Sequence, residues 1–229
     1  MEAGAVFGRV AAPPRRLLVT ELRALATWPP PPPDPRSLPR GDGGPVLVLP
    51  AFLTADAFTA PLRRFLDACG HRSHGWRLGV NWGPTPALLA GLASRLRRLS
   101  DEAGGAPVAL VGISLGGLLA RHLAHAAGPL LVRHVATLGS PLRLPTASPL
   151  APIVRPLLPR YARDVDLARL AAPPPVPATV IWTRDDGIIA PCSCVTDDDA
   201  GDRFEVGGAH MVIARNPAAL AILARRLAA

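Results

Sequence analysis

The sequence predicts a doubly wound α/β fold: a parallel sheet with helices on both faces. Short continuous apolar runs at Val46–Leu49, Val108–Val111, Val132–Leu138 and Thr179–Trp182 are bounded by turn residues. Runs of that length suit strands buried on both faces, the habit of parallel sheets. Segments with helical apolar spacing lie between them, and the alternation continues from Val46 to the end of the chain. Such alternation argues for a sheet covered on both sides.

In chain order, Pro14 to Trp28 carries Leu17, Leu18, Leu22 and Leu25 at helical spacing, with Arg15, Arg16, Glu21 and Arg23 on the expected outer face. The five prolines Pro29 to Pro33 cannot donate to a hydrogen-bond ladder, so an extended connector is expected up to Gly44. Residues 1–44 are therefore read as an N-terminal helix and connector, and 45–229 as the folded domain. Thr85 and Pro86 open a helix that buries Leu88, Leu89, Leu92, Leu96 and Leu99 and turns Arg95, Arg97 and Arg98 to water. Leu115 to Ala127 forms another, stopped by Gly128 and Pro129. Prolines interrupt Pro141 to Pro177, which is read as a short Pro-rich cap (141–177). Arg203 to Val206 is the last expected strand, and Asn216 with Pro217 opens a final helix that buries Leu220, Leu223 and Leu227.

Composition narrows the functional classes. The 229 residues are 49% hydrophobic and 18% charged, which excludes a disordered chain and fits one domain. The net charge of +8 comes from arginine alone, without lysine, and no basic run with interleaved aromatics appears, so no nucleic-acid partner is expected. Three cysteines, Cys69, Cys192 and Cys194, make no disulfide framework. Asp197, Asp198, Asp199 and Asp202 lack the glycine and terminal glutamate of a calcium loop, and no metal is expected. Met1 to Val10 has no sustained apolar stretch, and Ala106 to Ala120 is too short to span a bilayer, so a cytoplasmic protein without a transmembrane segment is expected.

The sharpest signal is Gly112-Ile113-Ser114-Leu115-Gly116-Gly117, with a strand before it and a helix after it. A nucleophile elbow needs this arrangement: the serine sits in a strained turn, and the flanking glycines remove side chains that would collide with the crossing backbone. A serine then needs a histidine base and an orienting carboxylate, in the order Ser, Asp, His. Asp185 and Asp186 follow the strand Thr179–Trp182, and His210 is the only one of six histidines after them. Neighbours on an extended segment point to opposite sides, so only one of the two aspartates reaches the imidazole. An oxyanion hole asks for two backbone N–H donors: Leu115, after the serine, and Phe52 in the loop Pro50–Thr54, with Leu53 as the fallback.

These residues resemble the α/β-hydrolase superfamily, and more narrowly the small bacterial lipases related to the inositol-deacylase-like group. Leu49–Leu53, Gly112–Gly117, Asp186-Gly187-Ile188 and Gly208-Ala209-His210 carry the likeness, and Asn81–Thr85 is similar to the family's strand-to-helix junction. The resemblance favours Asp186 as the acid, because the family's aspartate precedes a glycine and a β-branched residue. It implies a catalytic triad of Ser114, Asp186 and His210, an acyl-enzyme route and no cofactor, and, since nothing strand-like precedes Pro45 where the family has its first hairpin, a reduced, mostly parallel sheet of about six strands. The expected substrate is a small-molecule or lipid ester lying against Leu53 and Trp82, with acyl transfer or non-catalytic binding as the alternatives. Ala51 stands where such lipases commonly have glycine, so a positive φ there would strain the oxyanion loop.

Overall fold

The structure is a computed structural model that describes residues 11–27, 30–142, 147–154, 172–195 and 202–229. Six strands, β1 (Pro45–Leu49), β2 (Arg72–Gly75), β3 (Val108–Ile113), β4 (Val132–Leu138), β5 (Ala178–Thr183) and β6 (Asp202–Val206), form one sheet in the order β2-β1-β3-β4-β5-β6. Every neighbouring pair is parallel. All strands therefore end at one rim, and every loop leaving a carboxyl end meets there.

Alternation along β1 divides the core. Val46 and Val48 pack with Leu62, Phe65 and Leu66 of helix α2 (Asp56–Ala68) and with Leu220 and Leu223 of the last helix, here α6 (Pro217–Leu227). Leu47 and Leu49 face the other way, onto Leu92, Leu96 and Leu99 of α3 (Pro86–Glu102) and Leu119 and Leu123 of α4 (Leu115–Ala127). Period-two side chains thus feed two cores from one strand. The caps match the sequence signals: Thr85 Oγ1 accepts from Leu88 N at 3.1 Å, Asn216 Oδ1 accepts from Ala218 N and Ala219 N, and Gly128 ends α4 at φ 71°.

Two elements escape the apolar patterning. Strand β2 reads Arg-Ser-His-Gly and lies at the sheet edge, where no apolar run is required. Its end is tied to the first turn of α2, since Asp56 accepts from Trp76 N at 2.9 Å and Arg77 N at 3.0 Å. Arg95 is also placed differently from expectation. It is buried, and its Nε donates to Gly75 O at 3.3 Å rather than pointing to water.

The N-terminal helix α1 (Arg16–Ala26) forms, but only part of its leucine stripe is covered: Leu17 and Leu18 are half-buried, and Leu22 and Leu25 face out. Leu22 is 67% exposed and Leu25 53%, while Glu21 is only 3% exposed. The helix packs on loops at the sheet's rim, and polar groups in those loops dictate which face it buries. Of the Pro-rich cap 141–177, residues 143–146 and 155–171 lie outside the described residues; the described part includes a four-residue helix, α5 (Ala151–Val154). Asp197 to Asp199 also lie outside them, and Asp202 pairs with Arg226. No helix among the described residues is long and apolar enough to cross a membrane.

His134 on β4 supplies a test of the core. Burial, reinforced by Arg226 and Arg133, lowers its pKa to about 4, and its Nε2 lies 3.0 Å from Thr179 Oγ1. A histidine held neutral in the fold contributes stability that is present above the ordinary value of 6.5 and is lost as pH falls toward about 4. Unfolding titrations should show that loss, up to about 3 kcal/mol. His134→Gln should flatten the slope across this window; an unchanged slope would contradict the assignment.

Candidate functional site

Ser114 joins β3 to α4 with φ 52° and ψ −120°, a conformation that costs a non-glycine residue energy. Its neighbours explain how the fold holds it. A Cβ on Gly112 would overlap Gly116 O and Gly117 Cα, and one on Gly116 would come within 2.5 Å of Leu49 O. A Cβ on Gly117 would strike the Ser140 side chain. The elbow is therefore a three-way close approach of β1, β3 and α4 that only glycine permits. The Ser114 side chain makes no cap bond to its own helix, so the hydroxyl is not committed to α4.

Asp186 and His210 meet from the loops after β5 and β6. Asp186, fully buried, places Oδ2 2.6 Å from His210 Nδ1, while its Oδ1 accepts from Ile188 N at 2.8 Å and Ile189 N at 2.6 Å. One carboxylate oxygen is thus fixed by backbone and the other by the ring. Asp185 points away and accepts from Gly208 N at 3.1 Å, which links the two loops. Thr183 adds a second link, donating from Oγ1 to Gly208 O at 2.7 Å.

Burial alone would lower the His210 pKa. The Asp186 charge, its hydrogen bond and the Glu21 charge outweigh burial, and the ring stands above its ordinary value.

Ser114 and His210 each lie against the end of β4. Ser114 N donates to Leu138 O at 2.8 Å, and the His210 ring lies against the next residue, Gly139, where a Cβ would sit 3.0 Å from Nδ1. Gly139 has φ 57° and leaves room for the ring.

The oxyanion loop differs from expectation in one respect. Ala51 is not at positive φ; Leu53 is, at φ 60°. Leu53 N donates to Asn81 O at 2.7 Å, which removes the fallback donor. Among the described residues neither Phe52 N nor Leu115 N has an acceptor. Asn81, itself buried, clamps this loop: its N donates to Thr54 O at 2.8 Å and its Nδ2 to Pro50 O at 2.8 Å. The clamp sets Trp82 beside the loop, where Trp82 and Leu53 are about half exposed on the rim. Among the described residues no group of three histidine, cysteine or carboxylate side chains is placed to hold a metal.

Sequence reasoning missed Glu21 and the clamp role of Asn81. Glu21 Oε1 accepts from Gly187 N at 2.8 Å and His210 N at 2.9 Å, and Oε2 accepts from Met211 N at 2.8 Å. A lone acid among leucines at helical spacing is the only sequence signal of it, and that signal also fits a solvated face.

Residues 78–178 match a family model described as alpha/beta hydrolase fold. A comparison with curated proteins yields no significant match. Solved structures are similar over most of the chain. A carboxylesterase from Lactobacillus plantarum WCFS1 shares 17% identity at a TM-score of 0.60, over 78% of this chain and 77% of that one. The enol-lactonase from Burkholderia xenovorans LB400 shares 18% at a TM-score of 0.54, over 80% and 90%. An arylesterase shares 15% at a TM-score of 0.61, over 82% and 76%. With its six parallel strands, its glycine-walled serine turn and these likenesses, the chain has the α/β-hydrolase fold.

Proposed function

We propose that this protein is a serine hydrolase that cleaves carboxylic esters through an acyl-enzyme intermediate. The observation that carries the reading is the 2.6 Å contact between Asp186 Oδ2 and His210 Nδ1, at the strand ends where the Ser114 elbow also stands. Asp186 holds Nδ1 protonated, which leaves Nε2 free to accept the Ser114 proton as Oγ attacks the ester carbonyl. The tetrahedral oxyanion takes hydrogen bonds from the unused N–H groups of Phe52 and Leu115. Collapse breaks the bond to the alcohol, which leaves with the proton from His210. Water then attacks the acyl-serine by the same base and restores Ser114. This route uses no cofactor.

Leu53 and Trp82 are the proposed acyl-contacting side chains, since both present apolar surface on the rim beside the oxyanion loop. Their character, with the likeness of Leu49–Leu53 and Gly112–Gly117 to the inositol-deacylase-like lipases, favours lipophilic esters. Names among the structural neighbours, carboxylesterase, arylesterase and enol-lactonase, agree with ester cleavage as the reaction type.

Ser114→Ala should abolish labelling by a fluorophosphonate probe and lower turnover of a short-chain nitrophenyl ester on the order of 10⁶-fold. Retention of either would overturn the nucleophile.

The imidazole must be neutral to act as base, so activity falls as pH drops through its pKa. Because the folded value is raised, the acid limb of kcat/KM should lie above the ordinary 6.5. Asp186→Asn removes the main favourable charge, and should shift the limb to lower pH while cutting kcat on the order of 10⁴-fold. A limb that stays in place would show that Asp186 does not act on His210.

A further inference from the structure

Three backbone N–H groups from two different loops converge on the carboxylate of Glu21, which reaches both from a third element, α1. Gly187 directly follows Asp186; His210 and Met211 open the 3-10 turn His210–Arg215. The free N–H groups at the start of such a turn are ordinarily satisfied by the residue at its N-cap. Here that residue is Ala209, which has no side-chain acceptor. Glu21 caps the turn from the far end of the chain.

The approach of α1 is built for this contact. A Cβ on Gly187 would lie 2.7 Å from Leu17 O and 2.9 Å from Glu21 Cγ, so the helix backbone rests directly on the acid loop. Leucines account for only part of the helix's docking, since Leu17 and Leu18 are half-buried while Leu22 and Leu25 face out. A buried charge is costly unless it is hydrogen-bonded, and Glu21 meets that demand with N–H groups of the acid and base loops alone. Detaching α1 would take the Glu21 acceptor from the Gly187, His210 and Met211 N–H groups and open both loops to water.

We infer that Glu21 is a positioning residue of the site, one carboxylate that fixes the acid loop and the base loop relative to each other and thereby the stance of the His210 ring. The inference rests on the serine-hydrolase reading above. Glu21 acts through the backbone of His210 and through charge, without touching substrate. The charged groups around the ring are Asp186 from the loop after β5 and Glu21 from α1. Asp185 lies further out on Gly208 N, and Arg23 and Arg215 line the crevice between α1 and the base loop. Two carboxylates therefore face one imidazole, and Glu21 adds to the upward shift that Asp186 produces.

The test uses the full chain and two variants, with labelling by the fluorophosphonate probe followed across pH and normalised to folded protein by circular dichroism. Glu21→Gln preserves shape but removes the charge and turns an amide N–H₂ toward Met211 N. It should label ten- to a hundred-fold more slowly, the range for a small misplacement of a catalytic group, with its acid limb at lower pH than the wild type. Gly187→Ala keeps the Glu21 charge in the chain but pushes α1 off the loop, and should slow labelling in the same way. It decides the matter if Glu21→Gln does not fold. A merely structural glutamate would lower the melting temperature and leave the limb and the normalised rate in place, and that result overturns the inference. Folded wild-type protein that fails to label overturns the hydrolase reading and this inference together, whereas a labelling wild type with unaffected variants overturns only the role of Glu21.

Discussion

A serine locked at positive φ between glycines is the constraint on which the rest of this molecule turns. Strand β3 must stop, reverse into α4 and pass within touching distance of the β1 end, and each of Gly112, Gly116 and Gly117 sits where a Cβ would collide. The strain at Ser114 persists because the sheet on either side over-determines it: Ser114 N is held by Leu138 O, and the α4 backbone is pressed against Leu49 and Pro50. Once that turn is fixed, the parallel register delivers the ends of β5 and β6 to the same rim, and the acid and base loops have only to be aimed.

Aiming is done by buried polar groups. Asn81 clamps the oxyanion loop, Asp186 grips its own loop with one oxygen and the imidazole with the other, and Glu21 joins the acid and base loops. The same chemistry explains why two buried histidines move in opposite directions. His134 has arginines for charged neighbours and a hydroxyl for a partner, and burial drives its pKa down to about 4. His210 is also buried, but with two carboxylates facing it the balance reverses. What surrounds the ring, not burial as such, decides whether a histidine here is inert or titrates usefully.

The fold was largely legible in the sequence because central parallel strands must be apolar on both sides, as at Val46–Leu49 and Val108–Val111. Strand β2 was not, since an edge strand of Arg72-Ser73-His74-Gly75 carries no such requirement. The glycine-flanked serine turn was legible because its residues are contiguous in sequence, although Gly116 and Gly117 make room for the distant Leu49 and Ser140. The residues alone left Asp185 and Asp186 open and the resemblance favoured Asp186; in the fold their side chains diverge from adjacent positions, Asp186 to His210 Nδ1 and Asp185 to Gly208 N. Glu21 was illegible for a related reason. Periodicity reports where apolar side chains recur, and α1 also answers to the N–H groups it caps, so Leu22 and Leu25 of the stripe lie exposed while Glu21 is buried. Asn81 was visible as part of a junction, yet its hold on Pro50 spans 31 positions of sequence.

The central claim is that an ordinarily inert hydroxyl at residue 114 becomes the covalent acceptor of an acyl group. Mixing the wild-type protein with an activated ester, quenching in acid within milliseconds and mapping the acylated peptide by mass spectrometry tests it directly. The account predicts an acyl adduct on Ser114 that forms in a burst and disappears as turnover ends. Rapid ester cleavage with no adduct, or with the acyl group on another residue, would contradict it.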